Sequence, residues 1–255
     1  MRALELTLDQ VWYVNKAYWR NPARAFFTFA FPLMFLIIFT SLLGTGTVHI
    51  GSIAVKQSTY YVAAMASFGV ITACFNNIAL AMTYGRDSGL LKRLDGTPLP
   101  SVSFIVSRVV HALLIAVLLV TLTAAFGHVA YGSSIPHGAM LLRFLVMLVV
   151  GASAFCSLGL AITAVIPNAD AAAPIVNFAI MPVLFLSGIF VAFGNSTPAW
   201  VLWVARIFPV RHFALGMQAG LVGTPFHWTD VAVVAVWGIA GLLLATRFFS
   251  WEPRR

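Results

Sequence analysis

The sequence predicts an all-α integral membrane protein with six transmembrane helices, and three observations predict it. Of the 255 residues, 61% are hydrophobic and only 9% are charged, where a soluble domain carries about 25% charged residues. The apolar residues run in uncharged stretches of membrane length, about 20 residues being needed for a span. The 15 basic residues fall unevenly between alternate connecting segments, as retention of Lys and Arg on the cytoplasmic face produces. No long polar block is left for a soluble domain, so residues 1–255 read as a single transmembrane domain. The formal net charge of +8 is spread over the chain ends and loops, which suits anionic membrane lipid rather than nucleic acid.

Residues 1–22 open the chain with an amphipathic helix at the cytoplasmic interface. At 100° per residue, Leu4, Leu8, Val11, Trp12, Tyr18 and Trp19 share one face, and Arg2, Glu5, Asp9, Lys16 and Arg20 share the other. The segment does not read as a cleavable leader, because no small-residue cleavage site follows the first apolar run. Asn21-Pro22 turns the chain into the first span. The spans are expected at about 25–44, 58–84, 103–127, 139–165, 174–193 and 229–247. Residues 85–101 form a charged connection between the second and third. The uncharged stretch from Ala171 to Ala205 is too long for one span, and Gly194-Asn-Ser-Thr-Pro198 breaks it. Residues 194–223 then read as an external re-entrant or interfacial segment in preference to a seventh span, since Arg206, Pro209 and Arg211 interrupt them. Trp200 and Trp203 suit the headgroup level.

Six spans put both termini on one side. That side collects Arg2, Lys16, Arg20, Arg24, Arg86, Lys92, Arg93, Arg108, Arg247, Arg254 and Arg255; the other collects Lys56, Arg143, Arg206 and Arg211. The bias places both termini in the cytoplasm. A seventh span would send the basic tail outside.

Several chemistries are excluded or unsupported. No lysine follows a glycine, so the phosphate-binding Gly-Lys-Ser/Thr loop is missing. There is no His-Glu-x-x-His and no Cys-x-x-Cys, and the two cysteines, Cys74 and Cys156, read as buried thiols. Histidines 49, 111, 128, 137, 212 and 227 are scattered and read as helix-packing hydrogen bonders. An intramembrane serine protease would need Gly-x-Ser-Gly and a later membrane histidine. Phe185 stands where the first glycine belongs before Ser187-Gly188, and the last span has no histidine. An ion-coupled carrier would place ionisable groups at mid-membrane, and the spans hold almost none. Asp170 reads as the cap of the fifth span.

The mild polar residues inside the spans are Thr72, Asn76, Asn77, Thr83 and Asn177. An amide in lipid must face protein or a cavity. Packing between helices is one reading. The other is a substrate path for an amphiphile, with Phe68, Asn76, Asn77, Asn177 and Phe178 as its lining.

The segment from Gly85 to Pro100 carries Arg86, Asp87, Lys92, Arg93 and Asp95, out of 15 basic and 7 acidic residues in the whole chain. Read as a helix, Leu90, Leu91 and Leu94 share a face, with Lys92 and Asp95 opposite and Arg93 on the flank. Gly96-Thr97-Pro98 stops it and Ser101 caps the third span. Such an amphipathic element suits docking of a partner; a plain topogenic loop would need the charges alone.

Arg86-Asp-Ser-Gly89-Leu-Leu-Lys-Arg-Leu94 followed by Thr97-Pro98-Leu99 resembles the loop between spans two and three of ABC-2 type permeases, the membrane subunits of ABC exporters of the daunorubicin-resistance type. The N-terminal helix ending in Arg20-Asn-Pro22, the run Phe185-Leu-Ser-Gly188-Ile-Phe190, and Thr197-Pro-Ala-Trp200 with Ile207-Phe-Pro209 are similar to that family in the same order. The resemblance covers nearly the whole chain. It implies a permease in the bacterial inner membrane, paired with a second permease, identical or paralogous. It also implies a cytoplasmic ABC ATPase that holds ATP and Mg, with no cofactor in this chain and no catalysis by it. Arg86, Asp87, Gly89, Leu91, Lys92, Arg93 and Leu94 would then couple the ATPase to export of a drug, lipid or glycolipid. The short external loops leave no dedicated external substrate domain. A carrier or channel working without an ATPase, and an intramembrane enzyme, are the competing readings.

Overall fold

The computed structural model describes residues 2–43, 46–50, 53–97, 99–194 and 197–252. In chain order it contains α1 (Arg2–Trp19), α2 (Pro22–Leu43), a hairpin of β1 (Thr47–Ile50) and β2 (Ile53–Lys56), α3 (Gln57–Ile71), a π-helical turn (Thr72–Asn76) and α4 (Asn77–Asp87). There follow α5 (Leu90–Asp95), α6 (Ser101–Tyr131), α7 (Ala139–Ile162), α8 (Ala169–Phe185), α9 (Ala199–Ile207), α10 (Pro209–Val222) and α11 (Trp228–Phe248). Among the described residues five helices are long and apolar enough to cross a membrane: Pro22–Leu43, Gln57–Asp87, Ser101–Tyr131, Ala139–Ile162 and Trp228–Phe248. The apolar α8 is shorter, at 17 residues. At 1.5 Å per residue it covers about 26 Å, near the lower limit for a span. The molecule is an all-α membrane protein.

α3, the π-turn and α4 form one continuous rod at the centre. Every residue from Ser58 to Ile71 is buried, and α2, α6, α7 and α10 pack around this half. Ala63, Ala64 and Ala66 keep the rod narrow, while Phe68 meets Phe35 at 5.9 Å and Phe190 at 5.4 Å on one side. Three of its hydroxyls bond within the rod: Ser67, Thr72 and Thr83 each donate to the carbonyl four residues back at 2.8 Å. Thr72 and Thr83 therefore need no partner from outside. At the π-turn α7 comes so close that a Cβ on Gly159 would lie 2.6 Å from the Phe75 carbonyl oxygen. Only glycine admits that approach. Cys74 and Cys156 are free and buried.

Local chemistry moves several boundaries from their expected places. α2 starts at Pro22 because Asn21 Oδ1 accepts from the Arg24 amide at 3.1 Å and proline suits the first helical position. α8 starts at Ala169, ahead of the expected 174, because Asn168 Oδ1 accepts from the Ala171 amide at 2.9 Å. Asn168 is thus the cap, and Asp170 sits within the first turn, where its charge still favours the helix dipole. α8 ends at Phe185, short of the expected 193. Ser187 Oγ donates to the Leu184 carbonyl at 2.7 Å, and Gly188 turns the chain at φ +86°. Ser101 is the first residue of α6 and not its cap; Pro100 holds the cap position without a side-chain bond. The β1–β2 hairpin, pairing Thr47 with Lys56 and Ile50 with Ile53, was not expected from composition.

Residues 199–222 form two short helices, neither of spanning length, joined at Phe208. α10 buries Phe213, Met217 and Gln218 against α3, α7 and α11, and α9 leaves Trp200 and Trp203 exposed. Pro98 of the expected helix stop, Asn195 and Ser196 of the expected break, and Arg254 and Arg255 of the basic tail lie outside the described residues.

Candidate functional site

Two features gather the residues that the sequence singles out. The first is the α4–α5 corner. Arg86, at the end of α4, is 1% exposed. Its Nη1 donates to the Thr163 carbonyl at 3.0 Å and its Nη2 to the Ile166 carbonyl at 2.5 Å. These carbonyls belong to the connection between α7 and α8, so the guanidinium satisfies the end of one helix and ties three elements together. Beside it, Asp87 Oδ2 accepts from the Ala169 amide at 3.2 Å, at the start of α8. Gly89 then takes φ +71°, a left-handed conformation that costs little only without a Cβ. With Ser88 it makes the two-residue link between α4 and α5.

The expected shared face of Leu90, Leu91 and Leu94 is divided. Leu91 is 1% exposed and seats against Gly85, and Leu94 packs partly buried against the core. Leu90 is 45% exposed. In a helix of six residues adjacent positions stand 100° apart, so once Leu91 enters the bundle Leu90 cannot follow. Lys92 and Arg93 are exposed, and Lys92 Nζ lies 3.3 Å from Glu252. The exposed face of α5 is therefore Leu90, Lys92 and Arg93, while Arg86 and Leu91 hold the element in place. The side chain of Asp95 lies outside the described residues.

The second feature is a cavity of about 360 Å³ between α2, the π-turn and α8. Phe68, Asn76, Asn77 and Asn177 line it, with Arg24 and Met181. Asn76 Nδ2 approaches Asn177 Oδ1 at 3.5 Å, and Asn77 Oδ1 accepts from Arg24 Nη2 at 3.4 Å. Both bonds are long, and the buried Asn76 Oδ1 has no partner. This is a polar patch with hydrogen-bonding capacity to spare, set in a mostly apolar wall. π-turns recur at such sites because the extra residue redirects side chains. Phe178 does not belong here: it is 82% exposed, one residue and 100° round α8 from Asn177. Arg24, which figures in the sequence only as a topological charge, is a charged lining residue of this cavity.

A further polar site occupies the opposite end of the bundle, where α10 meets α11. His212 Nδ1 lies 2.6 Å from Asp230 Oδ1 and Nε2 lies 2.9 Å from the Arg206 carbonyl. Both ring nitrogens face acceptors, so the imidazolium suits the site. The hydrogen bond to Asp230 raises the His212 pKa above the ordinary value, with burial working against it. Nearby, Arg211 lies over the Phe193 ring at 4.4 Å and reaches the Ser187 carbonyl at 3.5 Å. Tyr60 OH donates to the Gly188 carbonyl. The spacing of His212 and Asp230 in sequence carries no signal for this pair.

Comparison with known proteins agrees with this architecture. The family model for the ABC-2 type transporter matches residues 10–222. Two curated relatives, each a probable multidrug ABC transporter permease YbhR, come from Escherichia coli K12 and Escherichia coli O157:H7. Each is 29% identical over 135 residues, a stretch that makes up 53% of this chain. That stretch spans only 36% of the relatives' own length. The chain is a multi-pass membrane protein, and it belongs to the ABC-2 type transporter family.

Proposed function

We propose that this chain is the membrane subunit of an ATP-binding-cassette exporter, driven by a separate ATPase that docks on Leu90, Lys92 and Arg93. The observation that carries this reading is the way the α4–α5 corner is fastened. Leu91 plugs α5 into the bundle, while Arg86 and Asp87 bind the end of α4 to the α7–α8 connection. A push on α5 is then passed to α4, α7 and α8 together, close to the amide-lined cavity. Arg86, Asp87, Gly89, Leu91 and Leu94 act in coupling as the mounting of this element; Lys92 and Arg93 act in it as contacts.

The sequence has no phosphate-binding loop, which fits ATP and Mg being held by the partner. Phe68, Asn76, Asn77 and Asn177 would line part of the path, completed by a second permease subunit, identical or paralogous. The substrate is an amphiphile, drug, lipid or glycolipid, moved out of the cytoplasm or inner leaflet. The multidrug description of the Escherichia coli relatives supports this class. The charge bias supports a bacterial inner membrane location with both termini, and α5, in the cytoplasm.

The test is co-purification from native membranes followed by reconstitution into liposomes. The reading expects an ATPase subunit in stoichiometric amount, lost when Leu90→Asp and Arg93→Glu are combined, and transport that requires ATP. Transport by the purified chain alone would instead establish a self-sufficient carrier.

A further inference from the structure

A small cavity under α1 is lined by two arginines and by no carboxylate among the described residues. Its walls are α1, the start of α2, the π-turn and α4, and α6; its volume is about 90 Å³. One water needs about 10–15 Å³ on this measure, so several water-sized groups fit. Tyr18, Arg24, Asn77, Arg108 and His111 supply the polar lining. Arg108 rests over the Phe104 ring at 5.0 Å, and its Nε is buried without a partner. Arg24 lies over the Tyr18 ring at 5.5 Å and donates to the weak Asn77 acceptor at 3.4 Å. Tyr18 and His111 pack edge to face at 5.2 Å. Tyr18 OH and His111 Nδ1 are both buried and unpartnered, and His111 is 8% exposed.

The buried Arg108 Nε, Tyr18 OH and His111 Nδ1 are idle polar groups beside two like charges, the part-buried Arg108 and the exposed Arg24, and this makes a poor arrangement by itself. Buried cations are normally paired, and buried polar groups are normally bonded. A tetrahedral anion resolves all of it. Guanidinium N–H groups, a phenol O–H and an imidazole N–H are donors, and phosphate oxygens accept from each.

We propose that this cavity binds the phosphate of an anionic membrane lipid, which fastens α1 to α2 and α6. The lipid source is favoured over a free anion by what lies alongside. An apolar groove of about 740 Å³ runs between α2 and α6, lined by Trp19, Phe26, Phe29, Leu118 and Leu122 among others. Tyr18, Ala25 and Ile115 form the wall between groove and cavity. Arg108 lies seven residues into α6, about 10 Å along it, so headgroup and acyl chain would stand at successive depths. α1 is an amphipathic helix of the kind that lies in the interface. The inference does not depend on ATP-driven export.

The experiment titrates the full-length protein in detergent with short-chain phosphatidylglycerol, phosphatidylcholine of equal chain length, and inorganic phosphate, following thermal stability. Phosphatidylglycerol should stabilise saturably, phosphatidylcholine much less. Arg108→Met should weaken the phosphatidylglycerol effect about tenfold or more, the loss of one charge-assisted contact. The same variant should be no less stable than the parent without lipid, because it removes a part-buried charge that meets no carboxylate in the cavity lining. Tyr18→Phe keeps the ring packing and should weaken binding several-fold, so a folded variant is available in either case. Equal phosphatidylglycerol binding by parent, Arg108→Met and Tyr18→Phe would overturn the site. Full stabilisation by inorganic phosphate, with nothing added by phosphatidylglycerol, would overturn the lipid assignment.

Discussion

Replacing Arg86 with methionine should destabilise the permease itself, before any partner is involved. The guanidinium is 1% exposed and donates to two carbonyls at 3.0 and 2.5 Å. Hydrogen bonds from a charged donor contribute about 1.5–3 kcal/mol each. Methionine carries no charge to be desolvated in this buried position, which returns part of this. Methionine fills the space of the stem, so cavity formation adds little. The net loss is about 2–4 kcal/mol, which for a chain of this size lowers the melting temperature on the order of 10 °C. Thermal unfolding of the detergent-purified protein, followed through its seven tryptophans, measures this directly. Arg86→Lys should fall about midway, since one ammonium cannot serve two carbonyls in the planar geometry of a guanidinium. Lys92→Met, which breaks the exposed pair with Glu252, should change almost nothing. An Arg86→Met protein with parental melting temperature and weakened partner binding would refute the reasoning and return Arg86 to the docking surface.

Leu91→Asp should lower stability and expression, whereas Leu90→Asp should leave both intact and reduce ATPase co-purification; identical behaviour of the two in a fluorescence size-exclusion assay would contradict the division of α5 into a seated and an open face. Gly89→Val should cost about 1–2 kcal/mol, because a Cβ is forced into the left-handed region, and Gly89→Asn should recover part of it on the same thermal scale. Gly159→Leu should be far more damaging, since its side chain must displace the backbone at Phe75, and a folded protein of normal melting temperature would contradict the close approach. His212 has a raised pKa. Its contribution to stability should therefore be complete below the unfolded value of about 6.5 and be lost as pH rises through the folded value. Melting temperature measured from pH 6 to pH 9 should fall more steeply for the parent than for His212→Gln, and parallel curves would remove His212 from the account.

Much of the architecture was legible because lipid imposes simple rules. Length, charge and apolarity located five of the spanning helices to within a few residues. α8 was misplaced where the decision is local: the Asn168 cap starts it at Ala169, ahead of the expected 174, and Ser187 with Gly188 ends the helix inside an apolar run. The α5 segment was visible from its charges, but the roles within it were not. Arg86 looks like its neighbours Lys92 and Arg93 until the Thr163 and Ile166 carbonyls, some 80 residues away in sequence, arrive at its tip. Asn76, Asn77 and Asn177 were identifiable as costly groups needing company, and they do share a cavity. Phe178 was carried along by adjacency, although neighbouring helix positions face different ways. The π-turn has no sequence signature; in the structure it lies where Phe75 meets Gly159 of α7.

That turn has a mechanical consequence. The rod Gln57–Asp87 runs from the hairpin to the α4–α5 corner, and a straight α-helix of its 31 residues would behave as a stiff strut of about 46 Å. One surplus residue in its middle makes it a strut with a slip joint. Absorbing or restoring that residue re-indexes the distal half by about 100° and 1.5 Å. The backbone hydrogen bonds on either side can survive the change. Arg86 and Asp87 fasten the distal half to the α7–α8 connection, so such a step must carry that connection with it or break these bonds. The half buried among α2, α6 and α10 would keep its register, and Asn76 and Asn77 sit at the joint, where such a step is felt first.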